Sequence, residues 1–182
     1  MSAEAYPGSG LDNGLRYCVR KCWLGQVLLA ESAAGVRAIL LGSRADGLRN
    51  ALRHRFPDFR LEEACQDAQF SARVAAVLGY IEVPQGKLSL PLDAAGSVFQ
   101  QRVWSALREI PCGETASYAD IARAIGRPAA ARAVAGACAA NPLAVAVPCH
   151  RVVRADGKLS GYRWGAARKR ALLARERELV AH

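Results

Sequence analysis

Leu143-Ala144-Val145-Ala146-Val147-Pro148-Cys149-His150-Arg151-Val152 is the stretch around which the rest of the chain arranges itself. Its first five residues form an apolar run, which predicts a short buried strand stopped by Pro148. A thiol and an imidazole follow side by side where that strand ends. The position suits a nucleophile, because thiolate is the reactive form of cysteine and a neighbouring imidazolium stabilises it. On its own, a Cys-His dipeptide fits an inert core position better, since buried free cysteine behaves as a small apolar residue.

Upstream, Ser97-x-x-Gln100 is a capping box opening a helix with Phe99, Val103, Trp104 and Leu107 on one face, ended before Pro111. A second helix starts at Ser117, with Asp120 three residues on. It turns Ile121, Ala122 and Ile125 inward and stops at Gly126. Arg127-Pro128 makes a tight turn into a third helix, from about Ala129 to Ala139, which Asn141-Pro142 ends. Helix, short glycine-containing turn and helix are the helix-turn-helix arrangement. The third helix offers alanines, a glycine and Arg132, and almost nothing that reads base edges. It fits sequence-indifferent DNA binding and a tightly packed core helix equally. A net charge of +9, from 25 Lys+Arg against 16 Asp+Glu, favours a polyanionic partner, nucleic acid before acidic membrane.

Downstream, Gly157 and Gly161 bracket a loop, Ala155 to Tyr162, able to wall a pocket. The last helix, about Ala166 to Val180, places Leu172, Leu173, Glu176, Leu179 and Val180 on one stripe. A carboxylate on an apolar face is costly without a partner. His54 lies among arginines and His182 is terminal, which leaves His150 as the economical partner. Carboxylate holding imidazole, and imidazole activating thiol, is nucleophile chemistry. A Glu176 bent toward solvent is the other reading.

Residues 1–92 show no catalytic cluster. Leu15–Val19, Gln26–Ala30 and Gly35–Gly42 predict three strands of a small antiparallel sheet, the first two joined by a turn over Lys21–Gly25. Helices are expected over Asp46–Phe56 and Asp67–Ile81, and a short extended piece over Lys87–Leu92. Asp93-Ala94-Ala95-Gly96 is a linker candidate. The division is then a loose tail over 1–14, a scaffold over 15–92 and a chemistry-bearing half over 93–182. The six cysteines show no repeated CxxC, no zinc ligand set and no disulfide framework; all are expected reduced. No run reaches membrane-spanning length and no secretory signal is visible, so the expected location is the cytoplasm.

Together these residues resemble the O6-alkylguanine-DNA alkyltransferases, over about residues 15–180. The likeness is densest in Pro148-Cys149-His150-Arg151-Val152, with Asn141-Pro142 before it and Leu172-Leu173-x-x-Glu176 after it. Pro111-Cys112-Gly113-Glu114-Thr115-Ala116-Ser117-Tyr118 and Ser160-Gly161-Tyr162-Arg163-Trp164-Gly165 are most similar to the bacterial Ada-type domain. The resemblance implies an α/β fold with an N-terminal ribonuclease-H-like scaffold and a C-terminal winged-helix-like domain. It implies binding of duplex DNA from the minor groove, extrusion of the damaged guanine, and one irreversible transfer of the alkyl group from O6-alkylguanine, and from O4-alkylthymine, to Cys149. His150 matches the base and Glu176 the group that orients it. Asn141 matches the residue tying the turn to the active-site segment. Tyr118 matches the donor to guanine N3, and Arg132 the finger that replaces the flipped base. Gln100 and Arg127 match phosphate contacts. The backbone carbonyls of Cys149 and Val152 match acceptors for the guanine amino group. No cofactor, metal, membrane or obligate protein partner is implied.

Arg163 and Trp164 depart from family branches that carry small residues there. With Val152 and Tyr162 they are expected to line the pocket, and the large ring at Trp164 to narrow it against bulky adducts. The rival functions are a non-catalytic winged-helix DNA-binding regulator, which does not need the thiol, and a cysteine hydrolase, which needs an oxyanion hole and turnover.

Overall fold

The computed structural model describes residues 13–181. The tail expected over 1–14 lies outside these residues apart from Asn13 and Gly14, and Gly14 already belongs to the first strand.

Strands β1 (Gly14–Cys22), β2 (Gly25–Ser32) and β3 (Gly35–Gly42) form an antiparallel meander. A fourth strand, β4 (Arg60–Glu63), pairs parallel to β1, giving the order β3-β2-β1-β4. Sequence patterning missed β4 because Arg-Leu-Glu-Glu is a mostly exposed edge with one apolar residue. The pairing of β4 with β1 brings Cys65 beside Cys18, and the two are joined as a disulfide with Cα atoms 5.0 Å apart. This corrects the expectation that every cysteine is reduced; Cys22, Cys112, Cys138 and Cys149 are free.

Helix α1 (Ala45–Arg55) buries Leu48 and Leu52, and α2 (Ala68–Glu82) buries Phe70, Val74, Val77 and Ile81. Each set is spaced by three or four residues, as one buried helix face requires. Asp67 caps α2 by accepting from Phe70 N at 2.7 Å. Asp93, at the head of the expected linker, is anchored: its amide donates to Val36 O at 2.9 Å, and its carboxylate takes Ser32 Oγ and pairs with Arg37.

Helices α3 (Val98–Arg108) and α4 (Tyr118–Ala124) open on the expected capping boxes, Ser97 with Gln100 and Ser117 with Asp120. Helix α5 (Ala131–Ala140) starts two residues later than the pattern predicts, because Arg127 to Ala130 form a turn. The two-residue strands β5 (Ala116–Ser117) and β6 (Val152–Val153) pair parallel, tying the start of α4 to the end of the Cys149 segment. Helix α6 (Ala166–Val180) closes the chain.

The expected strand at Leu143–Val147 is instead a buried turn that lays one residue against β3. Ile39 N donates to Pro142 O and Ala144 N to Ile39 O, both at 2.9 Å. Val145 then sits at φ 60°, a left-handed conformation that a β-branched residue adopts only under tertiary compulsion. Apolar continuity looked the same for strand and turn because both are buried throughout. The two halves share one core, and Arg168 Nε of α6 reaches Leu24 O, in the turn between β1 and β2, at 2.9 Å. Among the described residues no helix is long and apolar enough to cross a membrane.

Candidate active site around Cys149

A buried turn must satisfy its own backbone polar groups. Asn141 does so here. Its Oδ1 accepts from Leu143 N at 2.8 Å and its Nδ2 donates to Val147 O at 2.9 Å. The same Nδ2 donates to Cys149 Sγ at 3.3 Å. One amide therefore shapes the turn and touches the sulfur that follows it. Cys149, His150 and Arg151 form a single 3-10 turn, and all three are buried.

His150 Nε2 lies 2.7 Å from Glu176 Oε1. Burial lowers the His150 pKa and outweighs the raising effect of the Glu176 carboxylate, so the imidazole is neutral. A neutral ring that donates Nε2–H to a carboxylate keeps its lone pair on Nδ1. His150 Nδ1 is buried without a hydrogen-bond partner. Burial pushes the Cys149 thiol up to about 11, although the Asn141 hydrogen bond and the Lys169 charge pull the other way. The resting pair is thus thiol and neutral imidazole, not the thiolate and imidazolium that adjacency in sequence suggests.

Glu176 is fully buried and fully engaged. Besides His150 it accepts from Arg151 Nε at 3.0 Å, Arg151 Nη2 at 2.9 Å and Gly113 N at 3.1 Å. Burial pushes its carboxyl up, but the hydrogen bonds from His150 and Arg151 and the Arg151 charge prevail and hold it at about 2. The charge partner is Arg151, inside the Cys-His motif itself, and not a cation of α6. Arg151 is fixed in turn by Nη1 donating to Ile110 O at 2.7 Å.

A second buried cation escaped the sequence. Lys169 Nζ donates to Val152 O at 2.5 Å and to Ser160 Oγ at 2.8 Å. Its signal was present, since Lys169, Leu172, Leu173 and Glu176 are spaced by three, one and three along the buried face of α6. The predicted stripe ends there; Val180 is 57% exposed. Tyr118 Oη donates to Ser160 Oγ at 2.7 Å, and Ser160 Oγ donates to Val152 O at 3.3 Å. The Val152 carbonyl, matched by resemblance to an acceptor for the guanine amino group, therefore holds two donors of its own chain.

A cavity of about 310 Å³ opens onto Cys149 and is walled by Tyr118, Ala135, Cys138, Tyr162 and Arg163. Trp164 does not line it. The indole is buried in a neighbouring groove with Leu40, Leu48 and Ala51, and meets Tyr162 edge-on at 5.2 Å. The expected narrowing by Trp164 is corrected to an indirect one, through the Tyr162 ring. Arg132 is exposed one helical turn before Ala135, so α5 carries the arginine toward the cavity's rim. Arg127 is exposed in the turn between α4 and α5. Gln100 spends its Oε1 on Ser97 N at 2.9 Å, within the α3 cap.

With this geometry in view, the chain compares closely with proteins of one kind. The family described as 6-O-methylguanine DNA methyltransferase, DNA binding domain, matches residues 98–178. The inducible methylated-DNA–protein-cysteine methyltransferase of Bacillus subtilis is 44% identical over 125 residues, covering 69% of each chain. The chain belongs to this methyltransferase family. Another member, the bifunctional transcriptional activator/DNA repair enzyme Ada of Escherichia coli, is 50% identical over 178 residues, covering 98% of this chain and 50% of Ada. This family member thus spans about half the length of the curated Ada relatives it matches. Among solved members, Mycobacterium tuberculosis OGT in complex with DNA superposes with a TM-score of 0.75 at 37% identity, over 90% of this chain and 94% of that one. The mixed α/β architecture is the same in both.

Proposed function

We propose that this chain repairs duplex DNA by taking the alkyl group of O6-alkylguanine onto Cys149, once per molecule. The observation that carries the proposal is the Cys149 sulfur at the wall of a base-sized cavity, hydrogen-bonded by Asn141 and followed directly by the His150–Glu176 pair. The thiol proton passes through a water to His150 Nδ1, and the imidazolium so formed is stabilised by ionised Glu176. As that proton leaves, sulfur displaces O6 in line from the alkyl carbon. The carbon–sulfur bond forms, the carbon–oxygen bond breaks, and guanine leaves with the electron pair. Tyr118 turns from Ser160 to hydrogen-bond guanine N3, easing the departing charge. A thioether has no easy reverse reaction, so the product is spent protein.

DNA is met by α4 and α5 in the minor groove, with Arg132 filling the gap left by the flipped base and Arg127 near phosphate. The alanine-rich face of α5 supports close, sequence-indifferent contact. In this reading the sheet half is ribonuclease-H-like, the α3–α5 half is winged-helix-like, and the boundary falls near residue 93. O4-alkylthymine presents the same alkyl oxygen and is a second substrate. No cofactor is required, because the DNA itself brings the group that is transferred.

The test is duplex DNA carrying labelled O6-methylguanine. Repair predicts label on the protein, at most one per chain, abolished by Cys149→Ala. Binding without transfer would favour a DNA-binding regulator, and turnover beyond one per chain would favour an enzyme of another kind.

A further inference from the structure

Resting on that reading, we infer that the Tyr162 hydroxyl is a positioning group for the water that carries the Cys149 proton to His150. Two ring-borne polar atoms among the described residues are buried without a hydrogen-bond partner, Tyr162 Oη and His150 Nδ1. They belong to neighbouring rings, packed edge-on with centroids 6.4 Å apart. The two other unpaired buried atoms are guanidinium Nε atoms of Arg37 and Arg55, whose terminal nitrogens are bonded elsewhere. Tyr162 has no second polar atom to fall back on.

An unpaired buried hydroxyl works against folding, and phenylalanine fills the same space without that cost. Its position beside the nucleophile supplies a use. Tyr162 and Cys149 wall the same cavity, and the Tyr162 ring is pinned by Trp164 at 5.2 Å. A buried water is held by two to four polar partners. His150 Nδ1 is one and the Cys149 thiol another; the Tyr162 hydroxyl is the third, donating to the water oxygen. In the transfer step the water takes the Cys149 proton and releases one of its own to His150 Nδ1. Tyr162 keeps its proton throughout, so it orients the relay without joining the exchange. Trp164 gains a role as well, since it fixes the ring that carries the hydroxyl.

Tyr162→Phe tests this, because it removes one oxygen and leaves the cavity wall and the contacts with His150 and Trp164. The ionisable groups around the relay remain: Lys169, Arg163 and Cys138 facing Cys149, Arg151 facing His150, and Glu176 and Arg168 facing Tyr162. Two rates are measured on the full chain between about pH 6 and pH 10: single-turnover methyl transfer from O6-methylguanine duplex, and carboxamidomethylation of Cys149 by iodoacetamide. Both should fall roughly tenfold at neutral pH, with the gap closing as hydroxide takes over the proton. Affinity for the duplex should not change. Replacing Tyr162 by 3-fluorotyrosine restores a donor and should restore the neutral-pH rates. A variant whose profiles parallel or match the wild type overturns the inference, as does a loss confined to DNA affinity or one that 3-fluorotyrosine does not rescue. If the wild type transfers no methyl group, the repair reading fails; the iodoacetamide profiles still decide the relay.

Discussion

Glu176→Gln changes charge with almost no change of shape, at a side chain that accepts from His150, Arg151 and Gly113. The wild-type carboxyl titrates at about 2 in the folded protein against an ordinary value of 4.5. A folded-state value below the unfolded one means that the ionised form stabilises the fold. The displacement corresponds to about 3 kcal/mol, present in full above the unfolded value and lost as pH falls through the folded one. Glutamine removes this contribution and leaves the Arg151 guanidinium buried without its counter-charge, a loss of about 3–5 kcal/mol at neutral pH. Urea unfolding followed by circular dichroism measures both effects. The wild type should weaken steeply between about pH 5 and pH 2, while the variant starts lower and shows a shallower acid slope. At neutral pH methyl transfer should slow by about a hundredfold or more, because the imidazolium formed in the step loses its anion. A variant as stable as the wild type at neutral pH, or one with the same acid slope, would refute the assignment of Glu176 as the ionised hub of the site.

Two further outcomes bear on the cavity and its approach. Arg132→Ala should slow transfer from duplex far more than reaction with the free base, measured as paired single-turnover rates, since only duplex has a stack to fill; equal losses count against the finger role. O6-benzylguanine should react at least tenfold more slowly than the O6-methyl substrate, and Arg163→Gly should recover more of that rate than Trp164→Phe, because Arg163 lines the cavity and Trp164 only backs Tyr162. Equal benzyl and methyl rates in the wild-type chain would remove steric exclusion by this wall.

Local chemistry explains which parts were legible before any coordinates. Capping boxes are local, and both Ser97 and Ser117 began their helices where the pattern put them. Helix faces are periodic, and Phe70, Val74, Val77 and Ile81 line the core at that spacing in α2, where a helix is expected. The pairing of Glu176 with His150 followed from scarcity, there being few histidines to choose from. Strand against turn at Leu143–Val147 was not decidable by period, because a run buried on every side has none. Short edges such as β4, β5 and β6 carry too few residues to show alternation. Arg151 and Lys169 were passed over because charged residues are presumed exposed. Their burial depends on partners distant in sequence, such as Ile110 O, 41 residues from Arg151, that no local window contains. Trp164 was misplaced for the opposite reason: next to a cavity residue in sequence, it faces the sheet half, where α1 supplies its neighbours.

The high thiol pKa suits the single-use acceptor role proposed for Cys149. At about 11, Cys149 is thiolate to roughly one part in ten thousand at neutral pH, a penalty of about 5 kcal/mol on any electrophile that relies on the free anion. An alkylating agent that attacks only the free anion meets that penalty in full. In the proposed step a lesion base seated in the cavity does not, because the proton leaves during the displacement, through a relay ending on an imidazole already paired with a buried carboxylate. Fixed approach distance in a walled cavity offsets much of the rest. Burial therefore selects among electrophiles by position instead of by intrinsic reactivity. The buried turn at Asn141–Val147, docked on β3, holds the sulfur where only that position counts.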